Sequence, residues 1–329
     1  MMAFLPGLEL SGYFYHEAVR PLLDQYYPGL QHAAARLDFG SDVLGFDTPM
    51  SMDHGWGPKV TLFLREDDFQ AYQAEINRRL ADDLPREVHS FSTHFGEPLA
   101  DGGKMAVVDH GPIHHGADIT TCVRFFKRYL GVDPSHPLCN PLREIDWLLI
   151  PQQRLRTVTA GCVYQDDQGQ LEAIRQSLKW YPQDVWLYLL ANQWRKIDQE
   201  EPFMGRCGDV GDETGSHWVA ARLIGEVMRL CFLIERVYAP YTKWFGTGFS
   251  RLACAPGMSP WIQNALEGKN WREREEALSQ VYVRVAEMTN ALNLVNLSGP
   301  ATGRNSTSFG KITSAGGMRQ TQLGLRLAW

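Results

Sequence analysis

From Gly215 to Tyr238 apolar side chains recur at Trp218, Ala221, Leu223, Val227, Leu230, Ile234 and Val237. That spacing forms a broad stripe on one side of a helix, and Pro240 stops it. Its neighbours follow the same rule. Gln170 to Trp180, Pro182 to Glu201, Trp261 to Leu266 and Trp271 to Leu292 each read as helices, with Pro182 in the first turn where a missing N–H costs least. Residues 151–297 are therefore predicted to form an all-α helical bundle, with the Met and aromatic positions of these stripes as core. Before Pro151 the period changes. Helical stretches at Ser11 to Tyr27 and Phe69 to Leu84 are interspersed with short apolar runs at His32 to Phe39, Lys59 to Leu64, Val88 to Phe95, Lys104 to Asp109 and Ala117 to Val123. Runs of that length bounded by Gly, Pro and Asp read as strands. The expectation for residues 1–150 is an α+β domain, a sheet with helices.

Composition narrows the function classes. A chain of 329 residues with 44% hydrophobic side chains can build one large or two medium domains. Its formal net charge of −6 lacks the field that non-specific nucleic-acid binding requires. Val227 to Ile234, the most apolar stretch, contains Arg229 and cannot span a bilayer. The six cysteines are scattered without a C-x-x-C pair, which argues against a zinc ribbon or a disulfide scaffold and for small buried residues in a reducing cytoplasm. Ser298 to Trp329 has no acid but carries Arg304, Lys311, Arg319 and Arg326 among Gly, Ser, Thr and Asn, and is expected to be a flexible basic tail.

Chemistry concentrates between Phe39 and Lys59. The run His32 to Phe39 delivers Gly40-Ser41 into a turn, whose backbone N–H groups and Ser41 hydroxyl suit a phosphate. Asp53 follows a dozen residues later, ahead of the next apolar run. A carboxylate there could share Mg²⁺ with a nucleotide. This arrangement resembles the nucleotidyltransferase superfamily that includes the aminoglycoside nucleotidyltransferases. At larger scale the chain resembles a bacterial family of unknown function usually labelled nucleotidyltransferase-like. That resemblance rests on Gly7 to Ser11, Gly40 to Asp47, Asp53 to Pro58, Thr159 to Gly161, Tyr181 to Trp186, Phe203 to Arg206 and Tyr238 to Gly246.

The resemblance implies a Mg²⁺-dependent transfer of a nucleoside monophosphate from ATP or another NTP to a hydroxyl on a small molecule, protein or RNA. It implies Gly40 and Ser41 as nucleotide contacts, and Asp53 and Asp118 as catalytic carboxylates that also hold two Mg²⁺ ions. The sequence departs from the superfamily at Gly55, where a second carboxylate is expected. Asp47, Asp42 or a water would have to fill that role. His54 lies between the two acid positions and, on a strand, would face the other way. The departure leaves a second reading open, a nucleotide-binding or regulatory protein that kept the fold and lost the metal site. A third is an interaction scaffold.

Lys243, among Tyr241 and Trp244, and Arg206, between glycines, are expected as further phosphate contacts from the helical half. The alternatives are a lysine stem packed on Trp244 and an arginine paired with nearby acids. Asp109 to His115 supplies three histidines and an acid, a conceivable metal site, though Gly111-Pro112 reads as an exposed turn.

Overall fold

A computed structural model describes residues 4–53, 55–95, 110–133 and 142–294, with Asp53 described by its backbone alone. It divides into two compact units, residues 1–179 and 180–329. His54, the strand expected over Lys104 to Asp109, and the expected tail over Ser298 to Trp329 lie outside the described residues.

The first unit is an α+β domain. It opens with one continuous helical stretch: α1 (Gly7–Tyr13), a π-helical segment (Phe14–Val19) and α2 (Arg20–Tyr26). The widening falls just ahead of Pro21. Pro21 cannot donate to the preceding turn, and the Arg20 N–H reaches back five residues to the Tyr15 carbonyl. Leu10, Phe14, Tyr15, Ala18, Val19 and Leu23 are buried along it.

Four strands make a mixed sheet in the order β5-β2-β1-β6. They are β1 (Ala33–Arg36), β2 (Val60–Phe63), β5 (Ala117–Thr120) and β6 (Cys162–Asp166). β2 and β6 run antiparallel to β1, and β5 runs parallel to β2. A separate hairpin of β3 (Glu87–Val88) and β4 (Phe91–Ser92) turns at His89 and Ser90, both with positive φ, as a tight two-residue turn requires. One sheet face packs Ala34, Leu62 and Ile119 against Phe14, Val19 and Leu23, and against Ile76 and Leu80 of α3 (Glu66–Asp83). On the other face Phe63 meets Phe125 of α4 (Cys122–Leu130), with ring centroids 5.1 Å apart.

The strand predicted over Ala117 to Val123 ends at Thr120, because Thr121 caps α4 by accepting the Arg124 N–H, and Gly131 closes that helix at φ 74°. After α5 (Glu144–Leu149) and α6 (Gln152–Thr159), the stretch beyond Pro151 returns to the sheet. β6 pairs with β1, and α7 (Gln170–Ser177) follows it. The change to an all-helical pattern therefore comes at residue 180, later than the sequence pattern puts it, since a strand bonded to β1 cannot belong to a separate bundle.

The second unit is a helical bundle. α8 (Gln183–Asp209) and α9 (Glu213–Ile234) run antiparallel, tied by Trp186 Nε1–H to the Leu233 carbonyl at 2.7 Å, Gln193 to the Glu226 carbonyl at 2.9 Å, and a Glu200–Arg222 ion pair. α8 continues through Pro202, past the end expected at Glu201. α10 (Thr242–Ser250), α11 (Ala255–Glu267) and α12 (Trp271–Ala291) complete it. Arg274 of α12 is wholly buried and donates to Ser216 Oγ, the Gly268 carbonyl, His217 Nε2 and Glu213, which pins α12 to the start of α9.

Gly208 in the last turn of α8 lies against Trp271, so that a methyl group there would overlap its Cβ and the ring's Cγ. Neither atom can move without shifting α12. Gly208→Ala is expected to destabilise the bundle by about 2 kcal/mol, despite alanine's better helix propensity, as read from the denaturation midpoint of the full chain. An unchanged midpoint would show that α12 yields freely.

Candidate functional site

The site is built on the chain that leaves β1. Arg36, the last residue of β1, is buried and donates from all three of its nitrogens. Nε reaches Asp42 Oδ2 at 2.7 Å, one terminal nitrogen reaches the Leu37 carbonyl at 2.6 Å, and the other reaches the Phe39 carbonyl at 3.1 Å and Asp42 Oδ1 at 3.2 Å. The guanidinium thus folds residues 37–42 back over the end of the strand. Gly40 has φ 150°, and a side chain there would run into Arg36 and Asp42. The turn closes with the Gly45 N–H on the Asp42 carbonyl and the Phe46 N–H on the Ser41 carbonyl. Among the described residues, the N–H groups of Gly40, Ser41 and Asp42 have no partner.

Three other segments hold this loop. The Gly7 N–H, at the start of α1, donates to Asp47 Oδ2 at 2.7 Å, and the Trp56 indole N–H donates to the same oxygen at 3.2 Å. The Gly161 N–H donates to the Val43 carbonyl at 2.9 Å. The segments around Gly7, Gly40, Trp56 and Gly161 are thus brought together from four places in the sequence.

Gly40 and Ser41 occupy the expected turn after β1. Asp53 closes a 3₁₀ helix (Pro49–Asp53), with β2 starting only at Val60 and Gly55 at φ 61°. The alternation expected over 53–55 does not apply at these described positions, because they do not form a strand. Asp118 lies on β5, in one row with Thr61 and Ala35 across the sheet. It is therefore near the same sheet end as the loop, although alternation sends Arg36 to the opposite face. Its exposed carboxylate is 3.4 Å from Arg128 of α4.

Asp47, expected as a metal ligand, spends one oxygen on Gly7 and Trp56, and Asp42 spends both on Arg36. Among the described residues, no group of three or more His, Cys, Asp or Glu side chains could hold a metal ion.

Lys243 and Arg206 belong to the second unit. Lys243, exposed in the first turn of α10, lies 5.1 Å from the Trp244 ring centroid, the packed-stem arrangement. Arg206 lies in the last turn of α8 rather than in a loose connector, exposed over the Phe203 ring at 5.9 Å. In the histidine run, the His114 and His115 rings bond to backbone groups. His94 Nδ1 accepts the His114 N–H, and His115 bonds the Asn77 carbonyl and the Ala117 N–H through its two nitrogens. Asp109 lies outside the described residues.

Three residues at the loop escape the sequence pattern: Arg36, Asp38 and Lys59. Asp38 has φ 92°, rare for a residue with a side chain. Burial pushes the Tyr129 phenol's pKa up, and the nearby Asp38 carboxylate adds to the rise. Lys59, half-buried ahead of β2, has its pKa lowered first by burial and then by the Arg36 guanidinium, against the opposing pull of Asp42 and Asp38.

No described helix is long and apolar enough to cross a membrane. No curated protein matches the chain. The family model that matches is described as a domain of unknown function (DUF4037), over residues 147–245, well under half the chain. That stretch runs from the end of α5 through β6 and α7 into α10, a mixed β and α segment to which no function is assigned.

Proposed function

We propose that this chain binds the polyphosphate of a nucleotide at the Gly40–Asp42 turn and transfers a nucleoside monophosphate to a hydroxyl acceptor. The observation that carries this reading is the turn itself. Among the described residues, three consecutive backbone N–H groups are without partners past the end of a sheet strand, in a turn held by a buried arginine. Free backbone donors in a turn of this kind suit an anion regardless of the base attached to it. The strand order supports it further, since Asp118 on β5 and the loop carrying Asp53 lie toward one sheet end.

In the reaction, the acceptor oxygen bonds to the α-phosphorus, the bond to the bridging β-oxygen breaks, and pyrophosphate leaves. The hydroxyl proton goes to a carboxylate, for which the resemblance nominates Asp53 or Asp118. Mg²⁺ enters with the nucleotide as part of the substrate, and the chain's own groups bind and orient it. The free cysteines Cys122, Cys162, Cys207, Cys231 and Cys254 suit a reducing cytoplasm.

A specific observation favours a second reading, nucleotide binding without transfer. Gly55 offers no ligand, and Asp42 and Asp47 are engaged in holding the loop. One experiment separates the two. The full chain is titrated with ATP, GTP, CTP and UTP with and without Mg²⁺, and pyrophosphate release is followed against a panel of hydroxyl acceptors. Release together with binding supports transfer. Binding without release, even when the chain's own hydroxyls are examined for label, supports the second reading. Absence of binding to every nucleotide would overturn both.

A further inference from the structure

We propose that Lys59, together with the unpartnered amides of Gly40, Ser41 and Asp42, forms a polyphosphate subsite. The proposal rests on the nucleotide reading above and adds the side-chain cation that the reading lacks. Because Ala35 pairs with Thr61, Lys59, two residues before Thr61, comes level with the point where the chain leaves β1 for the turn. Its stem is fixed. A methyl group on Gly116 would stand 3.0 Å from Lys59 Cγ and 2.6 Å from Phe95 Cε2, so the lysine and phenylalanine close over that glycine. The ammonium lies 5.2 Å from the Phe95 ring centroid.

Among the described residues, the Lys59 ammonium forms no hydrogen bond or ion pair. Asp42 already gives both oxygens to Arg36. Asp38, beside the Tyr129 phenol, has a buried Oδ1 without a hydrogen-bond partner. A half-buried ammonium that makes no ion pair has lost hydration, and the pull of Asp42 and Asp38 offsets that loss only in part. The nearby guanidinium adds to that cost, which is why the amine's pKa falls. An incoming phosphate offsets both effects, and the free amides of the turn supply its remaining hydrogen bonds. The strained backbone at Asp38, directly ahead of the turn, fits a loop held in a shape that its sequence alone does not favour.

The test uses the full chain, with inorganic tripolyphosphate and ATP as separate probes in a calorimetric titration. Lys59→Met keeps the apolar stem and removes the charge. It is expected to weaken both probes by about tenfold or more, while Lys179→Met, at an exposed position, leaves them unchanged. Equal ATP binding by wild type and Lys59→Met overturns the subsite and leaves the nucleotide reading standing. Tripolyphosphate binding that depends on Lys59, without ATP binding, keeps the subsite and overturns the nucleotide reading. Binding of neither probe to wild type overturns both. Should Lys59→Met not fold, reductive methylation of the wild-type chain read by mass spectrometry decides the matter. Lys59 is expected to be protected by saturating tripolyphosphate, and labelling that ignores it overturns the proposal.

Discussion

Asp53→Asn is expected to reduce pyrophosphate release by about 10²- to 10⁴-fold, the usual range for loss of a positioned carboxylate, with little change in tripolyphosphate binding. Its backbone ends a 3₁₀ helix in the loop that Arg36 and Asp47 hold, so the amide variant should leave folding intact. Asp118→Asn is the informative partner. In the folded chain Asp118 makes an ion pair with Arg128 in which both side chains are more than half exposed, a contact worth under about 1 kcal/mol. A purely structural Asp118 would therefore leave both stability and turnover nearly unchanged. A catalytic Asp118 would lower turnover sharply at constant stability. Full activity in both variants would remove Asp53 and Asp118 as the proton acceptor, whereas loss in Asp53→Asn alone would assign that role to the loop and not to β5.

The second half of the chain was largely legible because long amphipathic helices announce themselves. α9 and α12 lie within a few residues of their predicted bounds. α8 outran its prediction at Pro202, since one proline removes one backbone hydrogen bond while Met204 and Gly205 beyond it remain buried. In the first half the central strands were readable as apolar runs, but other elements were hidden, α4 and β6 among them. α4 carries the sequence Cys-Val-Arg-Phe-Phe-Lys-Arg-Tyr-Leu, with a capping threonine before it and a glycine after it, but its first turn merges with the apolar run of β5. β6 is a half-buried edge strand, next to a turn, and its composition gives little sign of burial. The site was legible as a turn and an acid. Its support was not. Arg36 reads as a polar interruption in an apolar run, and only the fold brings Asp42, six residues on, against it. Asp47 looked like a spare ligand, because nothing local shows that the start of α1 and Trp56 meet it.

That support can be measured. Arg36 and Asp42 are 8% and 7% exposed, so neither has water to fall back on when its partner is removed. Arg36→Met leaves the Asp42 carboxylate buried without a counter-charge and strips donors from the Leu37 and Phe39 carbonyls. Breaking a buried pair from one side costs about 3–5 kcal/mol, and denaturant unfolding of the full chain should show a loss of that size. Asp42→Leu, which strands the guanidinium, is expected to cost a similar amount. The double variant Arg36→Met/Asp42→Leu removes both charges and should lose less than the sum, with a coupling of about 2–3 kcal/mol. It should still not reach wild-type stability, because the two carbonyls keep no donor. The same double variant separates folding from function. With the loop no longer held over β1, the amides of Gly40, Ser41 and Asp42 lose their fixed arrangement, and tripolyphosphate binding should fall even where the chain remains folded. Additive stability losses would mean that the arginine and the aspartate act independently. Unchanged anion binding in the double variant would mean that the turn keeps its shape without them, and that the pair contributes stability alone.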